Sequence, residues 1–203
     1  MRIAISGAQG TGKTSLINEL RTRPELKDYT FVESIRGIQE LGFKLNDVGD
    51  DNAQLMVEAV HLKNYVWRNS VLDRCSLDAL VYATHQYQTE KITQETLRIA
   101  EAIFENLRYD LHFYIKPEFD LIDDDSRSMN QDYRNAIVQL YDDYIESYRI
   151  NPIIVTGSVK ERADQIIKNV VEYNVRIKEE DTIIEMLQQK LVESIENLNK
   201  QTT

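Results

Sequence analysis

The sequence predicts a doubly wound α/β fold: a parallel sheet of five strands flanked by helices, with a lid and an extra C-terminal helix. Three observations carry that prediction. Five short apolar runs rich in β-branched and aromatic residues alternate with longer segments whose apolar residues recur every three or four positions. Parallel neighbours need a crossover long enough to hold such a helix, so the alternation selects a parallel sheet covered on both faces. Gly7, Gly10 and Gly12 form a cluster between the first run and the first helical segment, in a chain with only 7 Gly.

Residues 1–6 form the first strand, which Gly7 ends, and their continuous apolar character suits the buried centre of a parallel sheet. Leu16, Ile17 and Leu20 give the next segment a helical stripe, stopped near Pro24. Residues 29–32 read as the second strand and 34–41 as a helix; 46–51 form a loop, and 52–67 are helical. The third strand covers 70–73, and Ser76 caps a helix reaching about residue 88. Another helix follows over 92–107, then the fourth strand at 111–115, closed by Pro117. Residues 118–128 are polar and irregular, with three consecutive acids at 123–125, and suit a lid loop. A helix over 130–148, the fifth strand at 152–156 and a last core helix near 161–171 complete the alternation. Residues 1–172 are therefore expected to form one domain and 173–203 a separate amphipathic helix, on which Ile177, Ile184, Leu191 and Leu198 recur every seven residues. That helix either packs back on its own domain or forms a homodimer seam.

Composition narrows the function classes. The 203 residues, with 24 Lys plus Arg against 34 Asp plus Glu, carry a net charge of −10, which disfavours a broad basic face for duplex nucleic acid. No apolar run approaches the length of a membrane span, the first residues have no secretory pattern, and the lone Cys75 cannot form an internal disulfide. A soluble, cytoplasmic protein is expected.

Gly7-Ala8-Gln9-Gly10-Thr11-Gly12-Lys13-Thr14 satisfies G-x-x-x-x-G-K-[ST] and lies between a strand and a helix, where its chemistry needs it. Glycines let successive N–H groups turn inward on phosphate oxygens at the positive end of a helix, a site that Gln9, Thr11 and Ser15 border. Lys13 is placed to reach the β/γ-phosphates of ATP, and the Thr14 hydroxyl to hold Mg²⁺. The pattern alone arises by chance in roughly one per cent of chains this long, before strand and helix are required.

Ligands of open parallel sheets bind beyond the carboxyl ends of the strands. The second strand delivers Glu33, with Arg36 a turn later, and the third delivers Asp73-Arg74. A carboxylate there can take a hydroxyl proton or hold Mg²⁺, and an arginine can clamp phosphate. The chain has no N-K-x-D guanine-reading tetrapeptide, and its third strand ends Val71-Leu72-Asp73-Arg74 instead of in the Asp-Glu of motor ATPases.

The phosphate loop, Glu33 and Asp73-Arg74-Cys75 together resemble the P-loop nucleoside and nucleotide kinases within the P-loop NTPase fold. Glu33-Ser34-Ile35-Arg36, then Asp73-Arg74 with Asp78-Ala79-Leu80-Val81-Tyr82-Ala83, then Asp124-Asp125-Ser126-Arg127, resemble the NadR-like group, which includes nicotinamide riboside kinases, over residues 1–172. The resemblance implies Lys13 and Thr14 on ATP-Mg, Glu33 or Asp73 as base and metal partner, and Arg74 on phosphate. It also implies lid arginines: Arg127 to reach the transferred group, and Arg134 to serve the nucleotide or the helix surface. Gln54 would present its amide to a base, as a Gln on the equivalent helix does in deoxynucleoside kinases. Cys75 departs from the Tyr or Ser that such kinases favour after Asp-Arg, and Ser34 from the Pro after the equivalent Glu.

Cys75 is expected to pack a turn, with no His near it in sequence. His61, His85 and His112 lack ligand spacing for a metal. Phe43, Tyr65, Trp67 and Tyr82 are read first as core and second as a stacking face for a base. The expected activity is ATP-dependent phosphoryl transfer to a nucleoside or (deoxy)nucleoside monophosphate. The alternatives are a kinase of nucleic-acid ends or of a modified base in DNA, and a nucleotide-dependent switch with slow hydrolysis.

Overall fold

The computed structural model describes residues 1–33, 35–117 and 131–201, with all of their side chains except those of residue 47 and residues 194–201. Strands β1 (Arg2–Ser6), β2 (Thr30–Glu33), β3 (Ser70–Asp73), β4 (Leu111–Tyr114) and β5 (Ile153–Ile154) form one sheet in the order β2-β3-β1-β4-β5. Every pairing is parallel. β1 is central, as its apolar run requires: Ile3, Ala4 and Ile5 are fully buried. The connections leave β1 toward β2 and β3 on one side and reach β4 and β5 on the other, so the switch point lies at the carboxyl end of β1.

Helices α1 (Lys13–Leu20), α2 (Arg36–Glu40), α3 (Asp51–Tyr65), α4 (Ser76–Gln88), α5 (Gln94–Asn106), α6 (Gln131–Ser147) and α7 (Val159–Gln201) connect or follow the strands, with short 3₁₀ turns at Pro24–Leu26 and Asn46–Val48. Successive strand residues face opposite sides, so Ala4 joins a cluster with Leu77 and Val81 of α4 and Ile137 and Tyr141 of α6, while Ile3 and Ile5 face the other layer. Side-chain caps set several helix starts: Asp50 accepts from Ala53 N at 2.9 Å and Thr93 from Thr96 N at 3.4 Å.

Most boundaries shift by one or two residues from the sequence expectation, and three of the differences have a local reason. Glu33 is the last residue of β2, not the first beyond it. The cap of α4 is Cys75 rather than Ser76: Asp78 accepts from Cys75 N at 2.9 Å, and the Cys75 side chain accepts from the N–H of Asp78. α7 begins at Val159 because Ser158 and Glu161 form a reciprocal cap, Ser158 N donating to Glu161 Oε2 at 2.8 Å and Glu161 N to Ser158 Oγ at 3.3 Å. With no Gly or Pro between 159 and 201, that helix then runs 43 residues without a break.

The chain divides into two compact units, Met1–Asp164 and Gln165–Thr203. The sheet and helices α1 to α6 lie wholly in the first. In the second, Ile184, Leu187 and Leu191 are each more than half exposed. Truncation after Tyr173 is expected to leave a folded, nucleotide-binding first unit. Its sheet signature by circular dichroism checks this, and loss of solubility would show that the tail belongs to the core. Among the described residues no helix is long and apolar enough to cross a membrane.

Candidate active site

The phosphate loop joins β1 to α1 through backbone that only glycine adopts freely. Gly7 has φ +152°, and a Cβ there would meet the Ile115 carbonyl oxygen at 2.6 Å. Gly10 and Gly12 have φ +72° and +82°, and Gly12 caps α1 in the left-handed conformation. Lys13 curls into the loop and is 6% exposed. Its Nζ donates to Gly7 O at 2.5 Å and Ala8 O at 2.6 Å, with Thr11 Oγ1 at 3.3 Å. Gln9 and Thr11 are buried, whereas Thr14 and Ser15 are exposed in the first turn of α1. Arg162, 5% exposed in the first turn of α7, donates to Thr11 O at 2.8 Å and so braces the loop from outside. The sequence reading missed it, because one arginine in the first turn of a late helix carries no motif.

The sheet register places Glu33 opposite Asp73 and Asp73 opposite Ile5. In-register residues of neighbouring parallel strands face the same side, one strand spacing apart, so the two carboxylates form a row pointing away from Ser6. Burial pushes the Asp73 carboxyl above its ordinary value while Lys13 and Arg74 pull it back, with Glu33 adding a smaller upward push. Glu33 lies on the edge strand, 42% exposed, 3.1 Å from Arg21 and 4.0 Å from Arg36, which is itself largely exposed.

Arg74, the next residue, takes a positive φ of 79° and points to the α4 side. Its Nη1 lies 3.5 Å from Asp78 Oδ1, and its guanidinium covers the Tyr82 ring at 5.2 Å. Asp78 is the hub beneath it. The carboxylate accepts from Ser6 Oγ at 2.7 Å, Tyr141 OH at 2.7 Å, Cys75 N at 2.9 Å and the phosphate-loop Gly7 N at 3.4 Å. Burial alone would raise its pKa, but Arg74, Lys13 and these donors hold it below the ordinary carboxylate value, so Asp78 is ionised at neutral pH. The motif that carries Asp78 was visible in sequence; its role as a hub was not. Cys75 is buried, and burial with the nearby Asp78 raises its thiol pKa, so it packs the turn as expected.

Arg74, Asp78, Ala79, Tyr82 and Gln86 wall one side of a small cavity, and Gln54, Val57 and His61 of α3 wall the other, closed by Ile35, Leu45 and Asn46. Its volume is about 30 Å³, room for about two waters. Gln54 Nε2 donates to Glu58 Oε1 at 2.8 Å and Ala79 O at 3.2 Å, so both amide protons are committed within the protein. Buried polar atoms cluster here: among the described residues His61 Nε2, Tyr82 OH and Gln86 Oε1 have no hydrogen-bond partner. Of the four aromatics read as a stacking face, only Tyr82 lines this cavity. Phe43 packs beside Ile38 and Val57, Tyr65 stacks on Arg2, and Trp67 is half exposed.

Burial depresses His61 to about 4, which leaves it neutral at pH 7. Behind Gln54, burial lifts Glu58 to about 7, opposed by the Gln54 hydrogen bond. Between pH 4.5 and 7 the native state keeps a proton that the unfolded chain has released; this stabilisation is complete below 4.5 and lost as the pH rises through 7. Glu58→Gln should therefore remove roughly 3 kcal/mol of the decline in stability across that window. Urea denaturation of both proteins at pH 4.5 and 7.5 checks this.

Arg134 is 2% exposed on α6, which corrects the helix-surface half of its expected role: in the first turn of α6 Tyr133 and Arg134 are buried, while Gln131 and Asp132 are exposed. Arg127 and the acids at 123–125 lie outside the described residues. His85 packs against Tyr133, and His112 Nε2 meets Ser6 Oγ at 2.8 Å. Among the described residues no group of His, Cys, Asp and Glu is arranged to hold a metal by itself. Thr14 and Asp73 offer the hard oxygen atoms that Mg²⁺ takes when phosphate supplies the remainder.

A family model described as an AAA domain matches residues 2–162. The fold is similar to that of a deoxyadenosine kinase from M. mycoides with products dCMP and a flexible dCDP bound, with a TM-score of 0.63 and 16% identity over 85% of this chain and 100% of that one. It is also similar to a NadR protein in complex with NR, with a TM-score of 0.62 and 19% identity over 85% of this chain and 51% of that one. A YorR protein from Bacillus subtilis in complex with phosphorylated GDP gives a TM-score of 0.53 and 18% identity over 87% and 98%. No curated protein matches. These likenesses establish the fold, that of the P-loop nucleoside kinases.

Proposed function

The chain belongs to the AAA domain family, and on that premise we propose that it is a P-loop kinase that transfers the γ-phosphoryl group of ATP to a nucleoside or (deoxy)nucleoside monophosphate. The observation that carries this reading is the pairing of two sites at one sheet edge. Beside the phosphate loop lies a second cavity whose polar atoms, on His61, Tyr82 and Gln86, lack partners, and a simple hydrolase has no use for one. The deoxyadenosine kinase similar in fold is described with dCMP and dCDP, and with dATP, bound, which supports the same class of acceptor.

The loop N–H groups and Lys13 receive the ATP phosphates, Lys13 exchanging the Gly7 and Ala8 carbonyls for phosphate oxygens. Thr14 and Asp73 would hold Mg²⁺, which would supply charge neutralisation for the phosphates. Asp73 adjoins Lys13 and serves the phosphate end, while Glu33, one strand outward and held by Arg21, takes the acceptor hydroxyl proton. Arg74 steadies phosphate from the α4 side, with Arg36 and Arg134 completing the substrate side and Arg127 acting from the lid. His61, Tyr82 and Gln86 read the acceptor by hydrogen bonding, and Gln54 contributes through its amide oxygen. A nucleoside is far larger than 30 Å³, so its entry moves the wall formed by Ile35, Leu45 and Asn46 outward. Little covalent chemistry is left to the protein; positioning and charge stabilisation do the rest.

Glu33→Gln is expected to lower kcat by roughly a hundredfold with little change in the KM for ATP, since it keeps volume and removes the base. Acceptor-dependent ADP release measures this. The same loss in Asp73→Asn with Glu33→Gln silent would exchange the two roles.

A further inference from the structure

A second cavity, of about 400 Å³, opens between the start of α4 and the carboxyl ends of α5 and α6 and shares no lining residue with the acceptor cavity. That volume lies within the range of small-molecule sites, which are mostly apolar with a few placed polar groups. Leu77, Leu107 and Ile150 supply aliphatic wall, and Phe104, Tyr109 and Tyr148 supply rings. The Phe104 and Tyr148 rings meet edge to face, with centroids 5.1 Å apart, leaving aromatic surface along the wall.

Two of the three charged groups at the rim have partners already. Arg108 Nη1 donates to Phe104 O at 3.2 Å and Leu107 O at 3.0 Å, and Asp110 accepts from Arg2 N at 2.5 Å. Glu105 lines the mouth and is exposed, so water solvates its charge. A neutral guest suits such walls better than an ion.

The polar group at the base is His112, and its neighbours fix which nitrogen carries the proton. Ser6 has one hydroxyl proton and gives it to the ionised Asp78. Its oxygen then accepts from its other two neighbours, the Cys75 thiol at 3.0 Å and His112 Nε2 at 2.8 Å. His112 is therefore the Nε2–H tautomer, and burial, which lowers its pKa to about 4, keeps the ring neutral. Nδ1 is left as a lone-pair acceptor on a ring that lines the cavity and retains accessible surface.

We propose that this cavity is a ligand site, separate from the phosphate loop and the acceptor cavity, for a neutral, flat aromatic heterocycle whose N–H or O–H group donates to His112 Nδ1. The rings stack or meet edge-on with Phe104, Tyr109 and Tyr148, and the single donor sets orientation.

The test uses the full chain with ¹⁵N-labelled histidine and two probes of one shape, indole and benzofuran, in which oxygen replaces the N–H. Indole is expected to bind saturably, to shift the His112 Nδ1 resonance and to bind roughly tenfold tighter than benzofuran. Asn151→Trp and Glu105→Trp each place a large ring at the mouth from an exposed position, so they fold independently of one another; whichever folds should abolish the indole shift. Absence of indole binding, equal affinity for the two probes, or an indole shift that survives in a folded mouth variant would overturn the proposal.

Discussion

Lys13→Ala loses phosphoryl transfer by roughly a thousandfold or more while the chain remains folded. The side chain is buried, yet its ammonium donates to the loop's own carbonyls and the Thr11 hydroxyl and does not belong to the hydrophobic core. Removing it takes a positive charge from the place where phosphoryl charge develops in the transition state. Water entering the space that the side chain vacates can meet the loop carbonyls it leaves. Steady-state turnover beside a thermal melt separates the two effects. A folded variant with near-normal turnover would contradict the assignment of the phosphate loop.

Asp78→Ala is expected to destabilise the fold by about 3–5 kcal/mol, because it breaks a buried ionic network from one side. Arg74, Ser6, Tyr141, Cys75 N and Gly7 N all lose their common acceptor, and Arg74 is left largely buried without its carboxylate. The size of the effect follows from what remains behind rather than from the strength of any one bond. For a chain of this length the loss corresponds to a fall in Tm on the order of 10 °C. The same network sets an acid limit. Asp78 has a folded pKa below its ordinary 3.8, so its contribution is complete above 3.8 and disappears as the pH falls through the lower, folded value. Thermal melts from pH 3 to 7 should show that the variant lacks this part of the acid-induced loss. A Tm within 2 °C of the unaltered protein would show that Asp78 is not the hub.

The features legible in the sequence were those whose chemistry is contiguous. The phosphate loop is eight consecutive residues between a strand and a helix, and the alternation of apolar runs with helical stripes left a parallel sheet as the arrangement that buries them. Asp73-Arg74 was legible because a strand end is local. The acceptor cavity was not, because it is assembled across distance: Gln54 and His61 come from α3, Arg74 from the turn after β3, and Tyr82 and Gln86 from α4. Of these, only Gln54, Arg74 and Tyr82 were singled out, each by resemblance or residue type.

Buried charge was the other obstacle. Charged residues between apolar positions read as solvent-facing, yet Glu58, Arg134 and Arg162 are each at most 5% exposed. A charge is buried only when three-dimensional partners receive it, as Thr11 O receives Arg162, and a linear pattern records no such partner. The Ser158-Val159-Lys160-Glu161 cap was present in the sequence and would have moved the start of α7 back to Val159.

The fate of the γ-phosphoryl group tests the central claim most directly. The chain is incubated with γ-labelled ATP and Mg²⁺ together with, in turn, nucleosides, deoxynucleoside monophosphates, nicotinamide riboside and 5′-hydroxyl DNA. The account predicts label on a nucleoside or nucleoside monophosphate, and none when Lys13→Ala replaces the unaltered chain. Label appearing only as inorganic phosphate, at a rate no acceptor changes, would contradict it, as would label carried only by the DNA end.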